Sequence, residues 1–113
     1  MKVAEYHKQG IKNFIEKKPS DYNLLGKASE GIHRIEIYVK TSGNKILDAK
    51  FNSSKRCKKL LALADILVKK LKNQKSDSIL ISQEEVLDIF KEEKDKEKLK
   101  KRLSIIMKAI NIQ

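Results

Sequence analysis

The chain contains one cysteine, Cys57, and it sits among cations: Lys55 and Arg56 precede it, Lys58 and Lys59 follow it. A thiol in that setting has chemistry open to it, because the thiolate is both nucleophile and metal ligand, and helix amides and neighbouring positive charge favour it. Exposure decides whether that chemistry exists or the residue is an ordinary cysteine. The other reactive types do not assemble. His7 and His33 have no cysteine or carboxylate at metal-ligand spacing, and neither Asp48 nor Asp65 forms an acid–base pair with another carboxylate. No glycine-rich phosphate loop and no Ser-His-Asp motif is recognisable. The expectation is a protein that is not an enzyme, with no catalytic residue and no metal site of its own.

Charge supplies the second candidate. With 26 Lys and Arg against 15 Asp and Glu, the formal net charge is +11, and clustered cations can bind phosphate by releasing its counterions. Lys55, Arg56, Lys58 and Lys59, joined by Lys69 to Lys72 and Lys98 to Arg102, would form such a patch on a basic nucleic-acid- or ribosome-associated module. Against this, only Arg34, Arg56 and Arg102 are arginine, and no Tyr or Phe interrupts the densest basic runs. Neither bidentate base readout nor a stacking platform is evident. Lysine spread over helix faces also serves solubility alone, and an adaptor with no ligand would look the same.

The elements that must position Cys57 follow from hydrophobic periodicity. Val3, Tyr6, His7, Ile11, Phe14 and Ile15 fall near one face of a helix over 3–16, closed by Pro19. A short strand is expected within 22–28. From Ile32 the alternation of Ile35, Ile37 and Val39 with Arg34, Glu36, Tyr38 and Lys40 marks a strand with one buried face. Thr41-Ser42-Gly43-Asn44 turns the chain, and 45–52 returns to make an antiparallel hairpin, with Ile46, Asp48 and Lys50 alternating against Leu47, Ala49 and Phe51. Ser53 or Ser54 is the expected N-cap of a long helix carrying Cys57 in its first turn, its apolar positions running from Leu60 to Leu71. Ser82 to Glu85 reads as a capping box opening a helix over 83–90. A last helix over about 93–110 keeps Leu99, Leu103, Ile106, Met107 and Ile110 on one stripe. The order implies an α+β fold in which a small antiparallel sheet of two to three strands carries an N-terminal helix and C-terminal helices on one face.

At 113 residues, with 40% hydrophobic against 36% charged, the chain fits one globular domain over 1–113. No apolar stretch reaches the roughly 20 residues of a membrane helix, so no membrane partner is expected. The lone cysteine excludes an internal disulfide, and the first residues carry no apolar run of signal-peptide length. A cytoplasmic protein is the expectation; its oligomeric state is left open.

On these residues the chain resembles the NifU/IscU-type iron–sulfur cluster scaffold domain. The resemblance covers nearly the whole length. It rests on Phe14-Ile15-Glu16-Lys17-Lys18-Pro19 as the end of a first helix and its turn, on Gly26 to Val39 entering the first long strand, and on Ile46-Leu47-Asp48-Ala49-Lys50-Phe51 ahead of Cys57. It implies a SufE/NifU-like fold, Cys57 as an iron–sulfur or persulfide position, and partners such as a cysteine desulfurase or other iron–sulfur assembly proteins. The family's remaining ligands have no counterpart: Ala28-Ser29-Glu30-Gly31-Ile32 lacks a cysteine, and the last helix offers Lys98-Leu99 or Arg102-Leu103-Ser104. A two-iron cluster needs about four ligands, most of them thiolates. One Cys57 per chain cannot supply them even in a homodimer, so no cofactor is expected unless a partner contributes ligands.

Overall fold

The computed structural model describes residues 1–110. Its elements run α1 (Val3–Gln9), β1 (Asn23–Glu30), β2 (His33–Ser42), β3 (Lys45–Ser53), α2 (Lys58–Leu71), α3 (Gln83–Ile89) and α4 (Lys96–Ile110). The strands form an antiparallel meander in the order β1-β2-β3, with α2 over β3 and α4 over β1 and β2. The α+β expectation holds, and the sheet has three strands.

Alternation explains the buried face. Ile35, Ile37 and Val39 of β2 sit opposite Ser53, Phe51 and Ala49 of β3, and all six are buried. On the other side, Ala28 and Gly26 of β1 pair with Ile35 and Ile37, giving α4 a shallow surface on which to lie. The expected phase of β3 is wrong at its start. Ile46 pairs with Thr41 and Asp48 with Lys40, which leaves Leu47 without a partner. One extra residue resets a period-two pattern, so Ile46 and Ala49 are both buried while Leu47 is 44% exposed. Both hairpins turn at a glycine: Gly31 has φ 62° and Gly43 φ 60°, a region L side chains rarely adopt.

In α2, Leu60 through Val68 are buried without a break. A helix apolar on nearly every side is a central one, and α1, α3, α4 and β3 all pack against it. Asn73, at φ 71°, ends it in a left-handed C-terminal conformation. The Ser82 hydroxyl accepts from the Glu85 amide at 3.3 Å and starts α3, but the Glu85 carboxylate turns to Lys70 at 3.4 Å. No described helix is long and apolar enough to cross a membrane.

The N-terminal helix is shorter than its periodicity predicts. Gly10, at φ 111°, ends α1 after Gln9, and the chain continues extended beside β3. There Ile15 N–H donates to Phe51 O at 2.8 Å and Phe51 N–H to Asn13 O at 2.9 Å. The cause is Asp65, buried in α2. Its carboxylate accepts from Tyr6 Oη at 2.6 Å and from Asn13 N and Nδ2 at 2.8 and 3.0 Å, with Lys12 N at 3.1 Å. Amides bound to a side chain are lost to a helix.

Candidate functional site

Cys57 is the N-cap of α2, in place of Ser53 or Ser54: its backbone is extended and its Sγ accepts from Leu60 N at 3.5 Å. The two serines are used otherwise, Ser54 Oγ accepting from Arg34 N at 3.3 Å and Ser53 Oγ donating to Ser54 O at 3.1 Å. The thiol is half-buried and unbonded to any other sulfur.

It lies on the wall of a cleft of about 630 Å³. Four parts of the chain converge there. Lys2, Val3 and Ala4 come from the start of α1, Ile32 and His33 from the β1–β2 turn, Arg56 to Lys59 from the start of α2, and Glu93, Lys94, Lys98 and Arg102 from α4 and the segment before it. Lys98 and Arg102 stand four apart on α4 and so share a face. The sequence offered them as part of one basic patch with the run at Cys57, and α4 carries them to the N-terminus of α2. Lys2, His33 and Lys94 were missed because only the chain's folding makes them neighbours of Cys57.

Positive charge dominates the cleft. Its one carboxylate among the described residues, Glu93, already accepts from Val3 N at 2.9 Å and pairs with Lys59 at 3.6 Å. Arg102 Nε is buried without a hydrogen-bond partner among the described residues. Burial holds the His33 imidazole below its usual pKa, the nearby Arg102 charge adds to this, and Glu30 opposes it. The amides of Lys58 and Lys59 precede the first intrahelical bond, Leu61 N to Cys57 O, and point the positive end of α2 outward.

The other basic residues singled out are elsewhere. Lys55 pairs with Glu16 and lies 5.4 Å from the centre of the Phe14 ring. Lys69, Lys70 and Lys72 face Asp65, Glu85 and Asp48 at 3.7, 3.4 and 3.1 Å. The expected patch therefore divides: Arg56, Lys58 and Lys59 enter the cleft and Lys55 does not.

The cleft does not fit an iron–sulfur cluster held by this chain alone. Among the described residues no three His, Cys, Asp or Glu side chains gather as a ligand set. Glu30 turns to Lys108 at 3.9 Å, and Ser29 lines a different groove with Lys27 and Arg34. Lys98 and Arg102, which share the cleft with Cys57, are protonated donors with no lone pair to give a metal.

The fold is similar to a NifU-like one. A nitrogen-fixing NifU-like protein (N-terminal) from Brucella abortus superposes with a TM-score of 0.50 at 12% identity, over 66% of this chain and 51% of that one. The match thus spans about half the length of that neighbour. No protein-family model matches the sequence, and no curated protein matches it. At this identity the likeness carries the architecture alone.

Proposed function

We propose that this protein is a divergent NifU/IscU-like domain that takes part in iron–sulfur assembly by binding a partner and carries no cluster alone. The observation behind this reading is the surroundings of Cys57: a lone thiol in a NifU-like architecture, sharing its cleft with Lys98 and Arg102 where a cluster would need thiolates, imidazoles or carboxylates. Such a site can present charge and a single sulfur to another protein. The cations at the cleft would steer an acidic partner surface, of the kind a cysteine desulfurase or another assembly protein could offer, and Ile32, 75% exposed at the rim, would supply an apolar contact. The reading assigns the domain no catalytic step.

Anaerobic reconstitution with iron and sulfide tests the first half: the protein is expected to remain colourless, and a stoichiometric visible chromophore overturns it. Co-elution with a cysteine desulfurase, reduced by Ile32→Glu, tests the second. Absence of any complex with the desulfurase or with other assembly proteins would remove the partner role.

A further inference from the structure

The cleft has a property that partner docking does not require: it is concave, and its cations surround a space. We propose that the cleft between the N-terminus of α2 and α4 binds a small molecule of the diphosphate class, its oxygens held by Arg56, Lys58, Lys98 and Arg102. At about 630 Å³, it lies within the range of small-ligand sites, roughly 300 to 1,000 Å³. Its cations come from two separate parts of the chain, the start of α2 and α4, that line one cleft. A nucleic-acid track needs the opposite arrangement, a stripe continuing over the surface. The run that would extend this one along α2 is already occupied, Lys69, Lys70 and Lys72 being bound to acidic side chains.

Two further observations favour phosphoryl oxygens. Arg102 Nε is buried with no partner among the described residues, and a guanidinium left short of acceptors favours an oxygen ligand beside it. The first amides of α2, a helix of 14 residues, open at the same place, and helix N-termini bind phosphate through such amides. Among the described residues the only lining carboxylate, Glu93, is spent on Val3 N and Lys59, so it does not repel the ligand as a free one would. Val3, Ala4 and Ile32 add an apolar wall for an organic remainder. This inference stands apart from the iron–sulfur reading, since it uses neither the thiol nor the neighbour.

Titration calorimetry with inorganic pyrophosphate and with ADP, at about 0.15 M salt, is the test. Saturable one-to-one binding of either probe is expected, weakened roughly tenfold by Lys98→Gln and by Arg102→Gln, the loss of one charge-assisted hydrogen bond. Lys98 is largely exposed, with 61% of its side chain open, and its one ion pair among the described residues is a long surface contact with Asp95 at 3.9 Å, so its replacement should leave the fold intact. Lys55→Gln, outside the cleft, should leave binding unchanged. Tighter binding of ADP than pyrophosphate would show that the apolar wall is used, and equal binding that the diphosphate suffices; both support the site. No binding of either probe overturns the proposal. So does an equal loss in Lys55→Gln, which would reveal diffuse attraction, and so does a single-stranded oligonucleotide that binds through the same cleft residues more tightly than both probes.

Discussion

Asp65 shows how one side chain sets the course of a distant segment. Fully buried, it takes hydrogen bonds from Tyr6, Lys12 and Asn13 and so binds the N-terminal chain to the middle of α2. Asp65→Ala leaves those donors unpaired in the interior and is expected to cost about 3–5 kcal/mol; Tyr6→Phe removes the bond to Asp65 and the one accepted from Lys69 Nζ and should cost about 1–2 kcal/mol. Urea denaturation of the two variants measures both. A second tyrosine–carboxylate contact, Tyr22 to Asp48, titrates at both ends of the pH scale. Hydrogen bonding to Asp48, with burial, pushes Tyr22 up to about 12. Burial of Asp48 works toward a higher pKa, but hydrogen bonds from Tyr22 and Lys72 and the charges of Lys50 and Lys72 outweigh it and hold the carboxyl below its ordinary range. A raised phenol contributes stability that is complete below the unfolded value near 10 and is lost as pH rises toward 12. A depressed carboxyl contributes above its unfolded value near 4 and is lost as pH falls through the lower folded value. Tyr22→Phe should therefore flatten both limbs of stability against pH, as followed by denaturation at a series of pH values.

Among the elements, β3 shows where sequence pattern is reliable and where it stops. The strand itself and its hairpin with β2 are legible, because Ile35, Ile37 and Val39 alternate cleanly and Gly43 marks the turn. The inward phase at Ile46 is not, because a bulge at Leu47 is a pairing event between two strands and leaves no mark on one of them. Ile46→Ala is expected to cost about 2–5 kcal/mol, while Leu47→Ser should stay within about 0.5 kcal/mol; a strictly alternating strand would weigh the two differently, and guanidinium denaturation separates them. The same limit applies to α1. Its apolar spacing runs on to Ile15, yet the helix ends at Gly10 because Asp65, fifty-odd residues away, takes the amides. At the candidate site, Cys57 and its basic neighbours were visible in the sequence. Lys98 and Arg102 were offered as part of the same basic patch, but the closing of the cleft by Lys2, His33 and Lys94 was not, since it arises only when the starts of α1 and β2 and the segment before α4 meet.

For the molecule as a whole, a net charge of +11 means that like charges repel across the folded surface, and the cleft concentrates that repulsion. Replacing both Lys98 and Arg102 by Gln is expected to raise the melting temperature by about 2–4 °C, the equivalent of roughly half a kcal/mol in a domain of this size. Added salt should stabilise the natural chain more than the double variant, because screening has less repulsion left to relieve; differential scanning calorimetry at two salt concentrations checks both. The site thus stands at some cost to the fold that holds it, as binding sites commonly do.

The extended segment after Gly10 has one more consequence. Asn13 and Ile15 hydrogen-bond to Phe51 at one end of β3, and Asn73 and Gln74 to Ile46 at the other, so an incoming strand finds both ends of that edge already taken. β1, the opposite rim of the sheet, has no such backbone cover among the described residues. A sheet with two open rims can stack copies without limit. With one rim closed, pairing of backbone to backbone joins two molecules through β1 and then has nowhere to continue, which makes the N-terminal segment a safeguard against fibre growth as well as a part of the core.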